Sequence, residues 1–227
     1  MAGPEERIKI DVPGRGEISS AYARPKDAFA SIVVAHGAGS GMDHPFLAGF
    51  ARAIAELGVA PLRFNFPYME AGRRSTDTPA VAIEAWRAAF EAASARAGKG
   101  EPVWASGKSF GGRMASMAVA DSLPAAGLVF LGYPLHAPGK PEKIRYEHLY
   151  KIGVPMLFIQ GSADPFAIPA ILAPVLKRLG KLATLHGIEG GGHSLELSRK
   201  DDPRQVGASM APVAATFIEA HSPKGRS

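Results

Sequence analysis

Along most of the chain, short apolar runs of strand length alternate with longer stretches of helical periodicity, and glycines and prolines punctuate the joins. The pattern predicts an early hairpin, Ile8–Val12 and Glu17–Ala23, turned by Pro13-Gly14-Arg15-Gly16. Ala30–Ala35 is a continuous apolar run, the form of a strand buried on both faces. A Gly-rich turn leads into a helix from about Pro45 to Leu57, which Gly58 stops. Further strands follow at Val59–Phe64, Pro102–Ala105, Gly127–Leu131, Pro155–Gln160 and Ala183–Ile188. Helices are predicted over Ala80 to Ala97, Arg113–Ala120, Ile168–Leu179 and Ala208–Ala220, with Phe66–Pro79 read as a loop. Strands alternating with amphipathic helices imply a three-layer α/β fold, a mostly parallel sheet with helices on both faces.

No repeat or linker composition divides the chain, so residues 1–227 are expected to form one domain. The polar, proline-bearing stretch Gly132–Val154 is an insertion, a candidate small cap over a site, and Ser222–Ser227 a frayed tail. No run approaches the ~20 apolar residues of a membrane helix. The charged N-terminal stretch lacks the apolar core of a secretory signal, so a cytoplasmic location is expected. The absence of cysteine removes disulfides, thiolate–metal sites and a Cys nucleophile together. The net charge of +5 does not imply nucleic-acid binding, because the basic residues are dispersed and not interleaved with aromatics.

Gly107-Lys108-Ser109-Phe110-Gly111 fits G-x-S-x-G, a sharp strand-to-helix turn that holds a serine hydroxyl above a sheet edge. A Gly-rich chain produces the pattern by chance, and Ser109 as an ordinary helix N-cap is the plain alternative. The apolar strand before it and the helix-forming run after it favour the nucleophile. A serine hydroxyl needs a base, and His193, in Gly190-Gly191-Gly192-His193-Ser194 between the last strand and the last helix, is the candidate. Asp164, in the turn after Pro155–Gln160, is the candidate acid, with Glu189 as runner-up; an Asx-turn before Pro165 is its plain alternative. The order Ser, Asp, His is that of α/β-hydrolases.

Backbone donors for an oxyanion should come from Phe110 and from His36-Gly37-Ala38-Gly39-Ser40-Gly41, with Ala38 first and Gly39 second. The same loop lacks the spacing of a phosphate cradle. Gly39, Lys108, Arg113 and Arg74 are candidate substrate contacts. If these cations and the 140–145 cluster face the pocket, they favour an anionic ester or acyl group; if solvated, they select nothing. The remaining histidines show no ligand spacing, so neither metal nor cofactor is expected.

With these residues in place the chain resembles the α/β-hydrolases. More narrowly it is similar to a compact branch of predicted hydrolases, close in size to dienelactone hydrolases, that includes hydrolase-like domains of animal testis-expressed and chromatin-complex proteins. The likeness rests on His36-Gly37-Ala38-Gly39, Phe64-Asn65-Phe66-Pro67-Tyr68, Glu70-Ala71-Gly72-Arg73-Arg74, Gly107 to Arg113, Tyr133-Pro134-Leu135-His136, Gln160 to Phe166 and Gly191-Gly192-His193-Ser194. It implies the α/β-hydrolase core with a minimal cap and a triad on Ser109, Asp164 and His193. Dienelactone hydrolases use a Cys nucleophile, which this chain lacks, so their substrate is not implied. The expected activity is cleavage of a carboxylic ester or related acyl bond through an acyl-enzyme. Thioesterase, acyltransferase and peptidase are alternatives, as is a non-catalytic binding module. The expected partner is a small acyl substrate, with no nucleic acid and no membrane, on a monomer or homodimer.

Overall fold

A computed structural model describes residues 3–137 and 139–222. Eight strands form one sheet: β1 (Glu6–Val12), β2 (Gly16–Tyr22), β3 (Ala30–Ala35), β4 (Val59–Phe64), β5 (Val103–Lys108), β6 (Leu128–Leu131), β7 (Met156–Gly161) and β8 (Ala183–Ile188). Their spatial order is β1-β2-β4-β3-β5-β6-β7-β8. β1 pairs antiparallel with β2 and β2 antiparallel with β4, and every other pair is parallel. The helices are α1 (Pro45–Glu56), α2 (Pro67–Glu70), α3 (Pro79–Ser94), α4 (Phe110–Ala120), α5 (Pro169–Leu179), α6 (Pro203–Ser209) and α7 (Ala211–His221). Short 3₁₀ turns stand at Glu147–Lys151 and Gly180–Leu182.

The two-residue period of the strands sorts their side chains into two cores. Ile32, Val34, Trp104, Val129, Leu131, Leu157 and Ile159 face Phe50, Ile54, Ala214 and Ile218 of α1 and α7. Their neighbours Val33, Ala35, Ala105, Leu128, Phe130, Met156 and Phe158 face the opposite way, against Trp86, Met114 and Leu172 of α3, α4 and α5. Both faces of the parallel strands are therefore covered, which is why these runs read as unbroken apolar sequence. The strand order reverses between β3 and β5. The crevice beyond their C-terminal ends is where open α/β sheets place ligands.

α4 opens three residues earlier than expected, at Phe110, and α3 closes three earlier, at Ser94; other departures concern β5, residues 66–79 and the closing helix. β5 continues past Ala105 to Lys108, because Gly107 and Lys108 still pair with Ala35 of β3 and with Phe130 and Leu131 of β6. Residues 66–79 are not all loop: Pro67 opens the single turn α2. The closing helix is two helices. Asp202 caps α6 by accepting the Arg204 N–H at 2.9 Å with Pro203 at the first position, and α7 follows after Met210. A side chain on Gly49 or Gly207 would strike the backbone of the facing helix, so α1 and α6 touch main chain to main chain.

The insertion 132–154 lies on α4: buried Leu149 anchors it, and His148 Nε2 stands 2.8 Å from Ser116 Oγ. Of the expected frayed tail, 222–227, only Ser222 lies within the described residues; its Oγ accepts the Trp104 Nε1–H at 3.3 Å. No helix among the described residues is long and apolar enough to cross a membrane.

Trp104 is fully buried, edge-on to Phe217 with ring centroids 5.8 Å apart, and joins β5 to α7. Trp104→Ala is expected to lower unfolding stability by about 3–5 kcal/mol, read from urea denaturation followed by circular dichroism.

Candidate active site

Ser109 stands between the end of β5 and the start of α4, with φ 50° and ψ −114°. A non-glycine residue in that region stores about 1–3 kcal/mol of strain unless its surroundings enforce it. The enforcement is close backbone contact. A Cβ on Gly107 would lie 2.4 Å from Gly111 C and Gly112 N, and one on Gly111 2.5 Å from Ala35 O. Only glycine lets strand, helix and β3 approach so nearly, and the turn they form projects the Ser109 hydroxyl above the sheet.

His193 arrives from the loop after β8. Its Nε2 is 2.8 Å from Ser109 Oγ, and its Nδ1 is 2.8 Å from Asp164 Oδ2. With the Nδ1 proton donated to the carboxylate, the Nε2 lone pair faces the serine hydroxyl. Asp164 is buried and fully engaged. Oδ2 accepts from His193 and from Gln160 Nε2 (2.5 Å), while Oδ1 accepts the Phe166 N–H (2.8 Å). The ring of Phe166 lies against the imidazole at a centroid distance of 4.0 Å and an interplanar angle of 27°. Burial pushes the His193 pKa below its ordinary value; Asp164 pulls it up, and the Lys108 charge pushes it down.

Across the crevice, the loop after β3 is pinned through His36. Its Nδ1–H donates to Gly37 O (2.7 Å) and its Nε2 accepts the Phe66 N–H (3.1 Å). Burial lowers its pKa to about 4, keeping it neutral. The Gly39 N–H donates to Tyr68 Oη at 2.9 Å. The amides of Ala38 and Phe110 have no hydrogen-bond partner among the described residues. That separates the two candidates in this loop: Gly39 is already satisfied and Ala38 is open.

Ala38, Ser109 and His193 meet in a cavity of about 570 Å³. Phe46, Leu47, Phe166 and Val206 supply its apolar wall, and His44, Lys108, Glu196, Arg199 and Asp201 its charged and titratable groups. Cover comes from 194–206; no described residue of the 132–154 insertion lines the cavity. Of the proposed substrate contacts, Lys108 lines the wall but its Nζ donates to His193 O at 2.7 Å. Neither Arg113 nor Arg74 lines the cavity. Arg113 is packed near Tyr133 and Arg145, and Arg74 is exposed. A larger groove of about 890 Å³, bordered by Arg7, Arg63 and Arg204, holds no serine or histidine. Among the described residues, no three His, Asp or Glu side chains are grouped to hold a metal ion.

Sequence reasoning missed Gln160, Tyr68 and Phe166. Gln160 had a signal, a lone polar residue ending the apolar strand Met156–Gly161. Its Oε1 accepts the Tyr133 N–H at 2.8 Å while its amide holds Asp164. Tyr68 had only its place in the Phe64-to-Tyr68 stretch that carried the family likeness, since only the fold brings α2 beside the β3 loop.

The family model for the alpha/beta hydrolase domain matches residues 28–220. The chain belongs to the α/β-hydrolase family. Among solved structures it is similar to an alpha-beta serine hydrolase homologue from Coxiella burnetii, at 18% identity and a TM-score of 0.74 over 94% of this chain and 97% of that one. A serine hydrolase without lid from Xanthomonas campestris aligns at 20% identity and a TM-score of 0.75, over 98% and 97% of the two chains. The dienelactone hydrolase of Anabaena variabilis aligns at 18% identity and 0.74, over 97% and 99%. At these identities the likeness is one of fold. It extends over nearly the whole hydrolase domain.

A lowered His193 pKa means the imidazole keeps its open Nε2 as pH falls, and gains a proton only at a pH below the usual histidine value of about 6.5. Histidine-selective NMR titration, with the His193 signal assigned by its loss in His193→Gln, is expected to place its midpoint below that value.

Proposed function

We propose that this protein is a serine hydrolase that cleaves a carboxylic ester or closely related acyl bond through an acyl-enzyme, with Ser109 as nucleophile, His193 as base and Asp164 as acid. The observation that carries the reading is the continuous hydrogen-bonded chain, 2.8 Å from Ser109 to His193 and 2.8 Å from His193 to Asp164, ending on a serine held in strained geometry. A scaffold that only binds has no need of that strain or of a buried carboxylate behind the imidazole.

In the proposed reaction Ser109 Oγ attacks the acyl carbonyl as its proton passes to His193 Nε2. The carbonyl electrons move onto oxygen, where the Ala38 and Phe110 amides donate to the oxyanion. Collapse of the tetrahedral species breaks the ester C–O bond as the imidazolium returns its proton to the leaving alkoxide. Water, deprotonated by the same nitrogen, then attacks the acyl-enzyme and releases acid and free Ser109. Asp164 stabilises the transient imidazolium and holds the ring in its tautomer. Gln160 and the Phe166 amide hold Asp164 in turn.

The cavity supports a compact ester. Its apolar wall of Phe46, Leu47, Phe166 and Val206 suits an aliphatic or aryl group, and its fixed charges balance, Lys108 and Arg199 against Glu196 and Asp201. The expectation of an anionic substrate drew on Lys108, Arg113, Arg73, Arg74 and the cluster Lys140–Arg145; of these only Lys108 belongs to this lining, where Glu196 and Asp201 offset it, so a neutral ester is the better fit.

The test is labelling by a fluorophosphonate with mass-spectrometric location of the adduct, beside hydrolysis of short neutral aryl esters. Wild type should be labelled on Ser109, and Ser109→Ala not at all. His193→Ala is expected to lose about 10⁶-fold in kcat and Asp164→Asn about 10⁴-fold. A folded wild type that neither takes the label nor hydrolyses any ester overturns the reading.

A further inference from the structure

The reaction proposed above leaves one buried charge beside it unused. Lys108 immediately precedes Ser109, is 9% exposed, and carries a side chain that forms no salt bridge among the described residues. Its Nζ donates to the backbone carbonyl of His193 at 2.7 Å, a hydrogen bond spanning 85 residues of sequence. The joint is built for that contact. Gly132, at the end of β6 with φ 72°, lies under it, and a Cβ there would stand 2.6 Å from His193 O and 3.4 Å from Lys108 Nζ. Burying an ammonium is costly unless other groups compensate it. Here the compensation is a neutral carbonyl at contact distance, with the carboxylates of Asp164 and Glu196 further off. Glu196 reaches toward the same loop, and its Oε2 is buried with no hydrogen-bond partner among the described residues.

We propose that Lys108 is a positioning residue for His193: its ammonium ties the loop that carries the base to the strand end that carries the nucleophile, and its charge helps keep the imidazole neutral and able to accept a proton. The inference rests on the hydrolase reading of Ser109, His193 and Asp164. Two carboxylates, Asp164 and Glu196, face His193 and favour its imidazolium. Burial is the larger force against that proton, and the Lys108 charge adds to it. Without touching the serine, Lys108 also fixes where the His193 backbone lies. Burial disfavours protonation of His44 in the same cavity, and the Lys108 charge adds to it. Burial lowers the Lys108 pKa to about 8, so the device is charged at neutral pH and loses its charge in mild alkali.

The test compares wild type with Lys108→Met, Lys108→Gln and Lys108→Arg, each checked for folding by circular dichroism. The His193 midpoint is read by histidine-selective NMR, and fluorophosphonate labelling rate is followed against pH. Methionine keeps the bulk of the side chain and removes charge and donor; glutamine keeps a donor and removes charge. Both should raise the His193 midpoint by about one pH unit and move the acid limb of labelling with it, while arginine leaves both at wild-type values. Methionine should also slow labelling at pH 7.5 by about tenfold. Glutamine carries the test if the methionine variant does not fold. A midpoint unmoved in the neutral variants, in a protein that is labelled at Ser109, overturns the role of Lys108 alone. A wild type that titrates as expected but takes no label overturns the hydrolase reading, and the catalytic purpose of Lys108 with it.

Discussion

The end of β5 meets the start of α4 and the end of β3 at backbone contact, and the rest of the site depends on that meeting. Three main-chain segments approach so nearly that Gly107 and Gly111 leave no room for a Cβ. The turn between them drives Ser109 into a positive φ that an isolated peptide would abandon. What maintains it is the parallel sheet. Pairing of β5 with both β3 and β6 continues up to the residues just before Ser109, so the strain is resisted by ladder hydrogen bonds and by two buried cores. The two candidate oxyanion donors follow from the same meeting. The Phe110 amide opens α4, where no acceptor lies one turn back, and the Ala38 amide lies in the loop that leaves β3.

The second layer of the site is electrostatic. Asp164 is almost wholly removed from water, and its carboxylate is held by three donors, from His193, Gln160 and the Phe166 amide. Such a carboxylate cannot reorient, so neither can the imidazole bonded to it, and Phe166 closes the remaining face of the ring. The cost is a low-dielectric pocket in which every charge is felt strongly. In that setting the buried ammonium of Lys108 and the carboxylate of Glu196 act on His193 through space as well as through the loop backbone. His36 stands apart from this: burial keeps it neutral, and it serves by pinning the β3 loop to Phe66.

Cover over the cavity comes from an unexpected direction. The insertion 132–154, the natural candidate for a cap, packs down on α4 through Leu149 and the His148–Ser116 contact. The wall facing Ser109 is built instead by 194–206 and by α1. Main-chain contact between α1 and α6, through Gly49 and Gly207, draws that segment inward. One wall of the cavity is thus set by helix packing remote from the elbow.

Local sequence carried the architecture. Unbroken apolar runs such as Ala30–Ala35 and Val59–Phe64 mark doubly covered strands, and their ends were legible because a polar residue stops each run, His36 the first and Asn65 the second. The elbow motif, the Gly-flanked histidine and the aspartate after β7 were legible for a similar reason: each chemistry demands a residue type at a strand end, and strand ends can be read. Less could be read where short helices depend on partners. α2 is a single turn, and α6 was signalled only by Asp202-Pro203, because one or two turns carry too few periods to show a face. Which cations reach the cavity was not legible at all. Lys108 and Arg113 look alike in sequence as basic residues flanking Ser109, yet one turns onto the His193 carbonyl and the other packs away toward Tyr133. The sequence by itself determined the sheet, its layers and the residue types at its strand ends, since these follow from local periodicity and steric demand. Only the tertiary structure decided the neighbours of each charge, because those distances are fixed by how remote segments pack.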